Sequence, residues 1–353
     1  MADSSACPFP NDRMPSTVDD VLARLRRVRI DAFIVLLLVV IGIAALVPAR
    51  GGVATGFGHA TTVAIGLLFF LYGARLSTRE ALDGLRHWRL HGTVLLATFV
   101  LFPLLGLAVS LLPASVLPHE LAVGVLFLCC LPSTVQSSIA FTSLARGNVS
   151  AAVCAASLSN LLGIVVTPLL AGLLLASHGG ISGGAVADVA LQLLAPFVLG
   201  QLARRWIGGW VARHKKHLVL VDRGSILLVV YVAFSEGMAE GIWGTLSVPA
   251  LLTLVAICLA LLAAVLLLTW YGPRGFTHAD RITIMFCGSK KSLATGLPMA
   301  GVLFAGAQVG AIVLPIMLFH MIQLMACAAI AGRLARRAEA AKSGRVVSAV
   351  SSR

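Results

Sequence analysis

Two stretches decide the fold: LFLCCLPSTVQSSIAFTSLARGN, residues 126–148, and ITIMFCGSKKSLATGLPMAG, residues 282–301. Each is apolar enough to lie in a bilayer, and each is interrupted in its middle. In the first, Pro132 is followed by Ser133, Thr134, Gln136, Ser137 and Ser138. In the second, Gly288, Ser289, Lys290, Lys291 and Ser292 break the apolar run, and Pro298 follows. Unpaired backbone in hydrocarbon is costly, so such breaks survive only where they are buried in protein or line a wet cavity.

The rest of the chain supplies the surroundings that such breaks need. Of its 353 residues, 59% are hydrophobic and 12% charged, against about 25% charged in an ordinary soluble domain. Lipid is therefore the solvent for most of the surface. Runs long enough to span fall near residues 30–48, 55–74, 91–112, 119–144, 149–176, 186–203, 223–242, 248–271, 281–304 and 309–331. The interrupted stretches are the fourth and ninth of these ten spans. Six of the seven cysteines lie in apolar runs without metal or redox spacing, which reads as small buried side chains.

The net charge of +13 would suggest nucleic acid in a soluble protein, but its placement excludes that. With the N-terminus inside, all but three of the 27 Lys and Arg residues fall on cytoplasmic segments. Arg50 alone lies outside, and Lys290 and Lys291 lie within a span. This is the positive-inside pattern. It predicts a bacterial inner (plasma) membrane protein with both termini cytoplasmic. Residues 1–29 read as an amphipathic cytoplasmic N-terminus, in which Val18, Val21, Leu22, Leu25 and Val28 make an apolar stripe over residues 16–29. Residues 332–353 read as a basic cytoplasmic tail.

Five spans per half is odd, so a duplicated half would be inverted, as is common among secondary transporters. The halves are 30–176 and 177–331. FLYGARLS (70–77) and VVYVAFSEG (229–237) end or occupy spans two and seven. The step from Tyr72 to Ser133 is 61 residues, and from Tyr231 to Ser289 it is 58. Spans five and ten each contain a proline, Pro168 and Pro315.

Lys290 is nine residues beyond Arg281, about 13 Å along a helix and near the middle of the hydrocarbon. A lysine there costs at least about 2.5–3.5 kcal/mol unless compensated. Three readings follow. The lysines can bind an anionic substrate group beside half-helix N-termini. They can fill a cation site, bonded to carbonyls and hydroxyls of the opposed break, or carry a coupling proton. Or the span is misplaced and they belong to a cytoplasmic loop. Ser159, Asn160, Gln192, Gln201, His320 and Gln323 read as interhelical hydrogen-bonding residues. No span carries an aspartate pair or a Ser/His nucleophile arrangement, so no enzyme and no cofactor are expected.

At the two breaks, residues 117–149 and FCGSKKSLATGLPMA (286–300), the chain resembles the bile acid:sodium symporter superfamily. It is most similar to a bacterial branch related to solute carrier family 10 member 7 and to fungal regulators of calcium influx. The resemblance runs from Ile30 to Arg333. It implies ten helices as a five-plus-five inverted repeat, a core and a panel domain, and helices four and nine crossing at their breaks. That family's sodium-ligand positions fall on Thr98, Ser137, Ser138, Ala152, Ala156, Phe286 and Lys290, where the carboxylate is lost and ammonium gained. The expected function is alternating-access transport of a small organic anion, not coupled to sodium through the usual positions. A regulator of calcium influx and a true sodium-coupled symporter are the alternatives. The expected substrate contacts are Lys290, Lys291, Ser289, Ser292, Ser133, Thr134, Gln136, Ser137, Ser138 and Thr98.

Overall fold

A computed structural model describes residues 32–75, 87–176, 183–239, 247–304 and 308–351. The proposed amphipathic segment at 16–29 lies outside these. The described chain is helical: α1 (Ala32–Leu46), α2 (Gly51–Arg75), α3 (Trp88–Leu96), a π-turn (Ala97–Leu101), α4 (Phe102–Ser110), α5 (His119–Cys130), α6 (Gln136–Leu144), α7 (Val149–Ala176), α8 (Gly183–Arg213), α9 (Lys215–Ala239), α10 (Val248–Tyr271), α11 (His278–Gly288), α12 (Leu293–Leu303) and α13 (Gln308–Ser351). Six stretches of helix among the described residues are long and apolar enough to cross a membrane, within 51–75, 88–110, 149–175, 217–239, 248–271 and 309–338. Ten spans were expected. The two interrupted ones are not continuous helices, because each is split into helices of 9 to 12 residues. Side chains such as Leu173 and Leu252 point outward, 73% and 66% exposed, as lipid-facing positions do.

The helix ends differ from the expected spans where local chemistry dictates. The expected span 91–112 contains the π-turn. The sixth expected span, 186–203, lies in a helix that continues to Arg213, and the tenth lies in one that runs on to Ser351. The first part of the basic tail is thus a continuation of the last helix.

Two packing neighbourhoods emerge. In the first, α2 packs along α8, and α9 packs on α1 and α2. Gly73 and Gly200 let the α2 and α8 backbones meet: a Cβ on Gly73 would sit 2.0 Å from the Phe197 carbonyl oxygen, and one on Gly200 would sit 2.0 Å from that of Phe70. Arg75 on α2 donates to the Asp222 carboxylate on α9. In the second neighbourhood, α5 packs against α4, α7 and α13, while α11 packs on α3, α6, α7 and α10. α9 and α8 join the two through α13, α12 and α7.

Asn148 pins the second neighbourhood together. Its Oδ1 accepts from the Ala151 amide (3.1 Å) and the Ser150 hydroxyl (2.9 Å), capping α7. Its Nδ2 donates to Asp280 Oδ1 at 2.8 Å, and its carbonyl accepts from Thr283 Oγ1 at 3.0 Å. Asp280 in turn accepts from Thr277, the N-cap of α11. Asn148→Ala removes the cap and its bridge to α11 together. It is expected to cost about 1–3 kcal/mol, read as a lower melting temperature; an unchanged melt would show that the bridge carries no stability.

Candidate functional site

The site is built where the two interrupted helices meet. Proline disfavours helical geometry in the residue before it. Leu131 accordingly adopts φ −70° and ψ 153°, which ends α5 at Cys130. The second break opens at Ser289 and closes at Ser292, whose hydroxyl accepts the Thr295 amide at 3.3 Å and caps α12. Gly288 approaches the π-turn closely: a Cβ there would lie 3.1 Å from that of Ala97.

The backbone groups released by the breaks are satisfied largely by one another. The Ser292 amide donates to the Pro132 carbonyl at 2.9 Å. Ser133 Oγ donates to the Cys287 carbonyl, and Ser138 Oγ to that of Phe286 at 3.2 Å. The two broken helices are therefore hydrogen-bonded to each other at their interruptions. From α7, Thr167 Oγ1 donates to the Cys130 carbonyl (2.9 Å), and Ser159 Oγ accepts from the Ser133 amide (3.1 Å). From α13, the Gln323 carboxamide spans the second break. Its Oε1 accepts from the Lys291 amide and its Nε2 donates to the Lys291 carbonyl, both at 2.9 Å. The same Nε2 lies 2.9 Å from His320 Nδ1. This accounting is what hydrocarbon demands.

The two lysines are placed very differently, although both are buried (0% and 1% exposed). That burial puts both inside the protein, not on an exposed loop. Lys291 Nζ donates to three carbonyls: Thr98 at 2.8 Å, Cys129 at 2.7 Å and Leu131 at 2.7 Å. The Phe102 ring centroid is 4.1 Å away. The Cys129 and Leu131 carbonyls belong to the end of α5. The Thr98 carbonyl is available because of the π-turn. The Phe102 amide bonds back to Ala97, and the next residue in that register, Pro103, has no N–H to offer Thr98.

Lys290 Nζ has no hydrogen-bond partner. It lies over the Phe141 ring, 3.9 Å from its centroid, and 5.5 Å from that of Phe286. No carboxylate among the described residues pairs with either lysine.

Of the other residues expected at the site, Ser133, Ser138 and Ser292 have their hydroxyls in bonds to backbone. Thr98 Oγ1 donates to Val94 within its own helix at 2.8 Å. Thr134 Oγ1 lies 2.6 Å from Ser137 Oγ and 3.2 Å from Ser138 Oγ. Ser289 is fully buried, whereas Gln136, in the first turn of α6, is exposed. The breaks thus gather Ser133, Ser138, Ser292 and Lys291 on shared backbone groups, and they leave the Lys290 ammonium without a hydrogen-bond acceptor. Sequence reasoning missed Thr167, Cys129 and Leu131, the last two because they act through carbonyls, which leave no side-chain signal.

Residues 31–336 match the model of the SBF-like CPA transporter family. An uncharacterized protein of Pseudomonas aeruginosa is 55% identical over 311 residues, covering 87% of this chain and 93% of the relative. The Escherichia coli (strain K12) protein YfeH, whose name proposes a symporter, is 50% identical over 315 residues, 88% and 94% of the two chains. Sodium/bile acid cotransporter 7 of Rattus norvegicus is 31% identical over 310 residues, 85% and 91%. Together with long apolar helices, these likenesses make this a multi-pass membrane protein with transporters as relatives. With its family model matched from the first described helix into the last, the chain belongs to the SBF-like CPA transporter family.

Proposed function

We propose that the chain is a secondary transporter of a small organic anion, with Lys290 as the group that recognises the anionic end. The single observation that carries this reading is the Lys290 ammonium, fully buried and without a hydrogen-bond acceptor, at the meeting point of two broken helices. A buried charge left unpaired is costly, and membrane-buried lysines of this kind mark substrate or ion pathways. An anion arriving between the breaks supplies the missing acceptor. Gln136 and Ser137, in the first turn of α6, stand at a helix N-terminus, where the backbone dipole also favours negative charge.

The proposed frame is ten spans in two inverted halves, residues 30–176 and 177–331. Two kinds of observation support it: the matched breaks at 131–135 and 289–292, and the two packing neighbourhoods. The α1–α2–α8–α9 group serves as the panel. The crossed helices, with α7 and α13, serve as the moving core, which reaches the two sides alternately. The basic loops support a reading with both termini in the cytoplasm of a bacterial inner membrane. Sodium at the usual family positions is not part of this reading, since Phe286 stands where a carboxylate is expected and Lys290 where an amide is.

Purified protein in proteoliposomes, screened against small mono- and dicarboxylates, sulfonates and sulfate esters, is the test. Uptake of the accepted anion is expected to persist in sodium-free buffer. It should fall about 10–100-fold in Lys290→Gln, the worth of a hydrogen bond to a charged group. Strict sodium dependence together with an indifferent Lys290→Gln would overturn the assignment. An altered cation influx in a deletion strain, with no uptake of any anion, would favour a regulator instead.

A further inference from the structure

The carbonyl cage around Lys291 is a different kind of site from the one at Lys290. All three N–H bonds of its ammonium are used, on oxygens from two separate elements: the π-turn and the end of α5. The side chain is 1% exposed, and the face of Phe102 closes it from a further side. No hydroxyl or carboxylate side chain takes part. A ring of backbone carbonyls on unwound membrane helix is the ligand set that protein uses for a bare monovalent cation. The ammonium presents one positive charge to that set, at ordinary hydrogen-bond distances. An anion has nothing to bind there, because the ammonium has no donor left.

We propose that this cage is a monovalent-cation site that Lys291 fills permanently, so that the chain carries its own cation instead of binding one from solution. The inference builds on the transporter reading, to which it adds an account of coupling: with the site filled covalently, no dissociable cation is needed there to hold the π-turn against the end of α5. Three oxygen dipoles pointing at one place repel each other when the charge is removed. The cage should therefore accept a replacement ion when the lysine is shortened.

Melting of the purified full-length chain tests this without any knowledge of the substrate. Lys291→Ala removes a propylammonium's worth of side chain. Its melting temperature is expected to fall by about 5 °C or more, since the carbonyls lose the charge that holds them together. n-Propylammonium, or sodium, should restore a substantial part of the loss in a saturable way, as a ligand bound only by the folded state does. n-Propanol and choline, at matched concentration and ionic strength, should not. The wild-type melt should be indifferent to exchange of sodium for choline.

Loss of stability without recovery by either small cation, or equal recovery by propanol, would overturn the proposal. If Lys291→Ala does not fold, Lys291→Met decides. This neutral chain of similar length should melt well below wild type, and a melt equal to wild type would show that the cage needs no cation. Saturable stabilisation of wild type by sodium would also count against a site already filled. These outcomes separate from the transport reading, because the melts report on the cage even if no organic anion is ever carried. Conversely, cation rescue of Lys291→Ala with no uptake activity would uphold the cage and sink the transporter.

Discussion

Gly200→Ala is expected to cost the protein about 3 kcal/mol or more, the upper end of what overpacking does, and to leave little folded material after solubilisation. The reason is the identity of the atom in the way. The added Cβ would lie 2.0 Å from the Phe70 carbonyl oxygen, 2.8 Å from its carbon and 3.0 Å from the Ala74 amide nitrogen. These are backbone atoms of α2, so no side chain can rotate to make room. Gly73→Ala meets the reciprocal obstacle, the Phe197 carbonyl oxygen at 2.0 Å. Either substitution must push two helices apart along their most extensive interface, taking the Arg75–Asp222 pair with it. Small residues at helix crossings are the usual means of close approach in membranes, where packing replaces the hydrophobic drive. Gly42→Ala and Gly92→Ala are the controls. Nothing lies within 4 Å of a Cβ at either position, and alanine is the better helix former by about 1 kcal/mol. These two should melt at or slightly above wild type. A Gly200→Ala protein melting with its controls would show that the crossing is looser than its geometry states.

The second large effect is expected from Gln323→Leu. The residue is fully buried, and its carboxamide alone satisfies both the amide and the carbonyl of Lys291. Leucine is close in volume, so the expected loss is mainly one of hydrogen bonds. Two backbone groups left unpaired at about 1–3 kcal/mol each amount to roughly 2–6 kcal/mol. The consequence extends beyond stability. Without the clamp, the backbone at Lys291 is free to shift, and the three carbonyl bonds depend on its position. Uptake by Gln323→Leu should therefore fall even in whatever fraction remains folded. Gln323→Glu keeps an acceptor for the Lys291 amide and loses the donor to its carbonyl, so it should lie between wild type and leucine in the melt. A leucine variant as stable and as active as wild type would show that water or another side chain replaces the clamp.

Both breaks were legible in the sequence because proline, glycine, serine and lysine are conspicuous in apolar runs. Their proposed equivalence rests on their falling in the fourth and ninth of the ten expected segments. Ser159 and Gln323 were expected to make interhelical hydrogen bonds, and both do. The lysines were not separable from sequence. Neighbours on an unwound segment point in different directions, and their roles depend on which carbonyls happen to face them. The decisive carbonyl, that of Thr98, is freed by a π-turn and a proline acting together. The sequence shows Pro103 but not the change of register that makes it matter. The aligned family positions suggested Lys290 for a former sodium site, whereas it is Lys291 that lies among carbonyl oxygens. Helix extents were least legible in α8 and α13, where the chain stays helical beyond the apolar run because Arg, Lys and Ala are good helix formers.

Two cations without carboxylate partners would make a core that moves in the proposed way sensitive to voltage. In the proposed cycle the empty core carries the charges of both Lys290 and Lys291 through part of the membrane field. The core loaded with a monoanion carries one charge fewer. An interior-negative potential then draws the empty core toward its cytoplasm-facing arrangement more strongly than the loaded core. A charge crossing the whole field gains about 2.3 kcal/mol per 100 mV, so even a partial crossing biases the resting orientation several-fold. Polarising the bilayer should therefore change the rate of the empty return step more than that of the loaded one. Replacing Lys290 by glutamine should remove its share of that dependence and leave the share of Lys291.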